Sequence, residues 1–340
     1  MYLKFYRLRE YPFSITCDER YFYESSVHAE ALANMMYTIQ QRKGMVLITG
    51  DVGAGKTFVG SVLGSRLGLN CMTLVMSNPP QSGKQLLRGL AARTGMKVRN
   101  SADKLSLTEE LEEHLVMLHR RGRLVALFLD EAQDLSNASL EELRLLWNWE
   151  EKGERLIQIV LSGLPELRAR LLEPQWEPLR QRVVLSYHLG PLSQQDTVAY
   201  IKHRLGIAAE DGCLAVFSED ALADIYSATN GIPRLINILC DNALLVGYSR
   251  GVHRIDRATI GEVLRDMTCW GLNTSTQAVS ADSSWEGRAA AGSSWEPQTV
   301  AVNAPQEPQT TLPELPPEPQ TMAPDLQAAP PDAPSVAGSE

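Results

Sequence analysis

The chain is poor in cysteine and has no cysteine spacing that binds or pairs. Its five cysteines (Cys17, Cys71, Cys213, Cys240, Cys269) are scattered and odd in number, and no C-x-x-C occurs. That excludes a zinc ribbon and a disulfide framework read from spacing. Most sit inside apolar patterns and read as small core residues, which fits a reducing compartment and a cytoplasmic location. Long apolar runs are missing too. None reaches the roughly 18 residues of a membrane-spanning helix, so no transmembrane segment is expected. The opening Met1–Phe13 has no apolar core of the signal-peptide kind. Excess charge is also lacking where a fold is expected. The overall net charge of −9 is concentrated at one end: residues 271–340 hold nine acidic residues and one basic residue, Arg288. The first 270 residues carry 32 acidic and 31 basic side chains. Bulk charge there neither suggests nor excludes a nucleic-acid partner.

Residues 271–340 are also poor in large aliphatic side chains. They contain 11 of the 19 prolines and repeat Glu-Pro-Gln-Thr from Glu296, Glu307 and Glu318. Ser-Ser-Trp-Glu occurs from Ser283 and again from Ser293. Such sequence buries too little apolar surface to offset chain entropy, so a proline-rich, acidic, disordered tail is expected.

What is present centres on Met45–Thr57, reading MVLITGDVGAGKT. An apolar strand runs into a G-x-x-x-x-G-K-[ST] loop with Gly50, Gly55, Lys56 and Thr57 at its fixed places. Glycine allows positive φ and close approach of backbone to a ligand. Successive N–H groups of Asp51, Val52, Gly53 and Ala54 can then form an anion nest. The following helix, through Phe58, offers its N-terminal dipole to the same anion. Lys56 supplies a full charge for β- and γ-phosphates, and the Thr57 hydroxyl is a ligand for Mg²⁺. Gly50 through Phe58 is therefore the expected ATP-binding stretch.

Five short apolar strands alternate with helical patterns: the Met45 strand, Cys71–Met76, Leu124–Leu129, Leu156–Leu161 and Val183–Leu189. Helices are expected at His28–Gln41, from Lys56 to Leu67, Gln81–Arg93, Leu107–Arg120, Ala138–Trp149 and Pro165–Leu172. This is the pattern of an open parallel α/β sheet covered on both faces. Its ligands bind at the carboxyl ends of the strands. After Gly190-Pro191 only helices are expected: Gln194–Leu205, Glu219–Ala228, Pro233–Tyr248 and Asp256–Met267. The expected organisation is an α/β domain with an N-terminal arm (1–190), an α-helical domain (191–270) and the tail (271–340).

The third strand closes in Leu129-Asp130-Glu131, the Walker B pattern. Asp130 would hold Mg²⁺ and Glu131 would take a proton from the attacking water. Ser162, at the end of the fourth strand, can orient that water or touch the γ-phosphate; a plain strand-end serine is the alternative. Arg180 and Arg182 precede the fifth strand and could stabilise charge on the γ-phosphoryl group. Arg234, in Gly231-Ile232-Pro233-Arg234, starts a helix of the helical domain and could reach back to the phosphates. The aromatic-rich first 27 residues read as an arm packed on the next domain, with Pro12-Phe13 as an alternative wall for adenine.

These motifs together resemble the AAA+ ATPases and, more narrowly, the ExeA/GspA-like (general secretion pathway protein A) group. The residues carrying the resemblance are Pro12–Ser14, Gly50–Thr57, Leu129–Gln133, Gly163–Leu167, Gln181-Arg182, Tyr200–Leu205 and Gly231–Asn237. They cover roughly residues 1–268. The resemblance implies a P-loop sheet with a C-terminal α-helical lid, ATP hydrolysis with Mg²⁺, and a homo-oligomeric ring or filament. It implies Ser162 as sensor 1, Arg182 as a finger on a neighbouring subunit and Arg234 as sensor 2. The group's secretion members usually continue into a transmembrane helix and a peptidoglycan-binding domain; here a polar proline-rich segment stands instead. Two functions follow as expectations. One is an ATPase that powers or gates assembly of a secretion or envelope-export machine through protein partners. The other is a DNA-binding transposition-helper ATPase.

Overall fold

The computed structural model describes residues 1–16, 18–99, 102–210 and 215–269. The proline-rich segment with its repeats, expected to be disordered, lies outside the described residues.

A short helix, α1 (Tyr2–Phe5), opens an arm that leads to α2 (Ser26–Gln40). Ser25 caps α2 by accepting the His28 N–H. Then β1 (Met45–Gly50), α3 (Lys56–Arg66), β2 (Cys71–Met76), α4 (Gly83–Arg93), α5 (Lys104–Arg120) and β3 (Leu124–Leu129) alternate. After α6 (Asn137–Leu146) come two short strands, β4 (Glu150–Glu151) and β5 (Glu154–Arg155). The α/β part closes with β6 (Gln158–Gly163), α7 (Pro165–Leu171), α8 (Glu177–Arg180) and β7 (Val183–Leu189).

The five long strands form one parallel sheet in the order β2-β3-β6-β1-β7. Every residue of β1 and β6 is buried, as expected of central strands covered on both faces. Successive side chains point to opposite faces. Val46, Ile48, Ala126, Phe128 and Val160 pack with α2 and α3. Leu47, Leu127, Leu129, Ile159 and Leu161 pack with α4, α5, α6 and α7. The edge strand β7 alternates half-buried and exposed residues up to its buried end, Leu189.

Most element boundaries lie one to three residues from those expected, and two of the shifts flank an element that was not expected. The helix expected at Ala138–Trp149 ends at Leu146, and the strand expected from Leu156 begins at Gln158. Between them lies the β4–β5 hairpin, which the sequence reading did not foresee. Its two turn residues, Lys152 (φ 54°) and Gly153 (φ 80°), both have positive φ. That is the two-residue turn whose twist suits paired strands. Each strand of it is two residues long, too short for any periodic signal.

The helical part comprises α9 (Gln194–Ala208), α10 (Glu219–Thr229), α11 (Pro233–Ser249) and α12 (Arg257–Cys269). Ser193 and Ser218 cap α9 and α10, and Pro233 starts α11. Its core includes Ile201, Ile225, Leu239, Cys240 and Leu244, joined by Tyr2, Tyr6, Leu8 and Phe13 from the arm. The arm therefore packs on the helical part, with an Arg9 N–H to Ala208 carbonyl bond of 2.7 Å. Cys240 is fully buried there, and burial pushes its thiol pKa up, consistent with an inert core cysteine.

At Gly60, α3 lies close against the sheet. A Cβ there would stand 2.3 Å from Cζ of Phe128. The helix can lie this close only because the residue has no side chain. Gly60→Ala must displace either α3 or a buried ring, at about 1–3 kcal/mol. A urea titration should show a lower midpoint at unchanged slope; an unchanged midpoint would mean that the contact relaxes freely.

Candidate nucleotide-binding and hydrolysis site

The strand order sets the site. β3, β6 and β1 are consecutive in the sheet and parallel, so their carboxyl ends emerge side by side. Asp130 follows β3, Ser162 lies in the last turn of β6, and the glycine loop follows β1. The loop is built as the spacing requires: Gly53 (φ 83°) and Gly55 (φ 97°) are both left-handed. Gly55 is the residue that caps α3, which begins at Lys56.

Lys56 is buried, with 6% of its surface exposed. Its amine donates to the carbonyls of Gly50 at 2.8 Å and Asp51 at 3.0 Å. Burial lowers its pKa, opposed by the carboxylates of Glu131, Asp130 and Asp51. A buried amine satisfied by loop carbonyls can exchange them for phosphate oxygens. Thr57 Oγ1 donates to Asp130 Oδ2 at 2.5 Å, and Ser162 Oγ donates to Asp130 Oδ1 at 3.0 Å. Asp130 and Ser162 are both buried. The three side chains thus form one chain of bonds joining the start of α3 to the ends of β3 and β6. A hydroxyl and a carboxylate converging on one spot are the hard oxygen donors that suit Mg²⁺, completed by phosphates and water. Among the described residues no group of three or more His, Cys, Asp or Glu side chains could hold a metal ion. A site shared with phosphates needs no such group.

Glu131 adopts the left-handed conformation, φ 50° and ψ 40°. Its Oε2 accepts a 2.8 Å bond from the Gln133 side-chain amide. Ser162, expected from the sequence to orient the attacking water or touch the γ-phosphate, with a plain strand-end serine as the alternative, donates to the Walker B aspartate.

The helical part meets the loop at the start of α11. The Arg234 N–H donates to the Gly53 carbonyl at 3.3 Å. A Cβ on Gly53 would lie 2.7 Å from that of Arg234 and 3.3 Å from Ile232 Cγ2. Arg234 is exposed beside the loop. Just before it, Gly231 (φ 75°) lies so close to the Leu192 carbonyl that no Cβ fits.

Arg182 is not near this cluster. Its carbonyl accepts from the Met45 N–H, at the start of β1, whereas the loop begins at the strand's end. Five steps of about 3.3 Å from Met45 to Gly50 put roughly 16 Å between them. Its guanidinium lies 5.2 Å from the Trp147 ring centre, bonds to Asn148 Oδ1 at 3.1 Å and donates to the Pro178 carbonyl. Burial and the nearby Arg144 and Arg155 lower its pKa. Arg180 instead donates to the Leu172 carbonyl at 3.3 Å.

Pro12 and Phe13 are buried with the helical part. Phe13 stands edge-on to Phe217 at 6.3 Å, and the Pro12 carbonyl accepts from Arg204 Nε at 2.7 Å. Arg204, only 3% exposed, also donates to the Ser14 carbonyl and the Tyr200 hydroxyl. Phe58 packs edge-on against Phe22 of the arm at 5.3 Å. Sequence reasoning gave no role to Gln133 or Arg204, although both fall within quoted motifs. No local pattern distinguishes a glutamine that bonds a neighbouring carboxylate from one in solvent.

A P-loop with Walker B on a five-stranded parallel sheet of this order, with a helical lid, defines an AAA+ ATPase. Residues 39–171 match the AAA domain family. Over 256 residues, 75% of its length, the chain is 39% identical to general secretion pathway protein A of Aeromonas hydrophila. This chain is an AAA+ protein of the ExeA/GspA-like group, although it spans only 46% of that relative's length. It is 24% identical over 180 residues to an uncharacterized HTH-type transcriptional regulator of Methanocaldococcus jannaschii, covering 50% of this chain and 44% of that one. In fold it resembles Cdc6p of Pyrobaculum aerophilum (TM-score 0.58, 16% identity, 75% of this chain and 70% of that one). It also resembles the RuvB Holliday junction branch migration motor of Thermotoga maritima (TM-score 0.52, 19% identity, 77% and 73% covered).

Lys56→Ala removes the buried cation of the loop. Charge-assisted hydrogen bonds are worth about 1.5–3 kcal/mol each, so ATP affinity should fall by about 100-fold or more. Titration with a fluorescent ATP analogue measures this; unchanged affinity would take Lys56 out of the site.

Proposed function

We propose that the chain binds ATP with Mg²⁺ and hydrolyses it to ADP and phosphate, acting as a homo-oligomeric ring or filament. The observation that carries this reading is the bonded convergence of Thr57, Asp130 and Ser162 beside Lys56 and Glu131. The loop N–H groups of residues 51–56 and the Lys56 amine bind the phosphates. Thr57 and Asp130 would hold Mg²⁺, whose chemistry is to neutralise charge on the β- and γ-oxygens. Glu131 accepts a proton from the attacking water. Ser162 fixes Asp130 in place. Arg234 reaches the phosphates from the lid, so lid position follows nucleotide state. Phe58, in the first turn of α3, would lie against the bound nucleotide, whereas Phe13 is taken up in the core of the helical part.

Arg182 acts in trans in this reading. The opposite end of β1 is out of reach of its own chain's loop, whereas a neighbouring copy's γ-phosphoryl group can meet it. A guanidinium suits that group because it is forked and always charged.

For the process served, the likeness to general secretion pathway protein A supports a cytoplasmic ATPase that powers or gates assembly of a secretion or envelope-export machine through protein partners. Among the described residues no helix is long and apolar enough to cross a membrane. The alternative is a DNA-bound helper of transposition. It predicts ATPase stimulation by duplex DNA that weakens steeply with salt, and the secretion reading predicts none.

Two experiments test the site. Glu131→Gln should bind ATP normally yet hydrolyse it at least about 100-fold more slowly, because an amide cannot take the proton. Arg182→Ala and Lys56→Ala should each be inactive, but mixed they should regain activity, one supplying the pocket and the other the finger. Wild-type specific activity should rise with protein concentration. A flat profile and a dead mixture would confine the chemistry to one chain.

A further inference from the structure

Gln133 is bonded at both ends of its side chain. Its Nε2 donates to Glu131 Oε2 at 2.8 Å, and its Oε1 accepts the Leu164 N–H at 3.0 Å. Leu164 directly follows β6, two residues past Ser162, and caps α7. The fit is tight: a Cβ on Gly163 would stand 2.7 Å from Gln133 Oε1. Gln133 is itself held from behind, because Arg170 of α7 donates to the carbonyls of Gln133 at 3.2 Å and Leu135 at 2.6 Å. Arg170 also bonds Asn137 Oδ1 at the start of α6.

The geometry points to Gln133 as the positioning residue for Glu131, through which the carboxylate is fixed relative to the end of β6. This rests on the reading of Glu131 as the base. A glutamate side chain has three rotatable bonds, and proton transfer needs one oxygen aimed at the water. The left-handed backbone at Glu131 sets the direction of its Cβ. That leaves the carboxylate free to swing. Gln133 removes the freedom by engaging Oε2, leaving Oε1 to accept the proton. Only an amide serves here: it must donate to a carboxylate at one end and accept an N–H at the other. A carboxylate at position 133 could still accept from Leu164 but could not donate to Glu131. The Leu164 bond fixes the same strand end that carries Ser162, so base and Asp130 are referred to one frame.

The test separates the two bonds. Gln133→Glu keeps shape and the Leu164 bond and loses the donor; Gln133→Ala loses both. Both variants, with wild type and Glu131→Gln, are assayed for steady-state ATP hydrolysis, ATP affinity and melting temperature. Misplacing a reacting group by about 1 Å can cost as much as 100-fold. The expected result is a kcat 10- to 100-fold lower in Gln133→Glu, with KM and ATP affinity within about twofold of wild type and an unchanged melting temperature. Gln133→Ala should fall at least as far. If Gln133→Glu keeps the wild-type kcat while Glu131→Gln is dead, the positioning role is wrong and the base stands. A loss in Gln133→Glu that appears only as weaker ATP binding or a lower melting temperature also overturns it. If Glu131→Gln hydrolyses at the wild-type rate, the base itself fails.

Discussion

The site depends on one constraint: a parallel sheet delivers the carboxyl ends of neighbouring strands to the same edge, and here β1 is enclosed between β6 and β7. Full burial of β1 and β6 fixes their register, since a one-residue slip would reverse which side chains face each layer. With register fixed, Thr57, Asp130 and Ser162 meet within hydrogen-bond distance although they lie on three separate segments. The glycine loop is thereby held at the end of a fully buried strand. The same constraint puts Arg182 at the far end of β1 from the glycine loop.

The helical part is fastened to this frame at two places. One is the contact of Gly53 with Arg234 and Ile232, where a glycine is needed for the backbones to approach. The other is the arm. Arg204 donates to the carbonyls of Pro12 and Ser14 and to the Tyr200 hydroxyl, which in turn donates to Asn237 at 2.8 Å. Its guanidinium also lies 4.9 Å from the Tyr21 ring centre. A buried cation with its donors satisfied by carbonyls and a hydroxyl costs less than an unpaired one. It welds residues 12–21 to α9 and α11. The lid and the arm therefore form one body beside the loop.

Much of this was legible along the chain. The bounds of β2, β3 and β7 were read to the residue, because β2 and β3 are mainly apolar runs and β7 is a run rich in β-branched and aromatic residues, each between clear breaks. The Gly50–Thr57 loop carries its own explanation in its spacing. The β4–β5 hairpin was not legible, because two-residue strands have no period and only Lys152-Gly153 marks the turn. The places of Phe13 and Gln133 were not legible either. Phe13 lies in a core assembled from α9, α10 and α11, and Gln133 finds its partners at Glu131 and across the sheet at Leu164.

The sequence by itself determined which segments are strands and helices, and which loop could cradle a phosphate. Those depend on hydrophobic period, glycine placement and residues within a few positions of each other. Only the tertiary structure decided strand order, and with it that Ser162 bonds Asp130, that Arg182 lies over Trp147 away from its own loop, and that Gln133 reaches Leu164. The physical reason is range. Local propensities act over a turn of helix or a few residues of strand. Hydrogen-bond partners 31 to 192 residues apart in the chain are chosen by how buried faces pack.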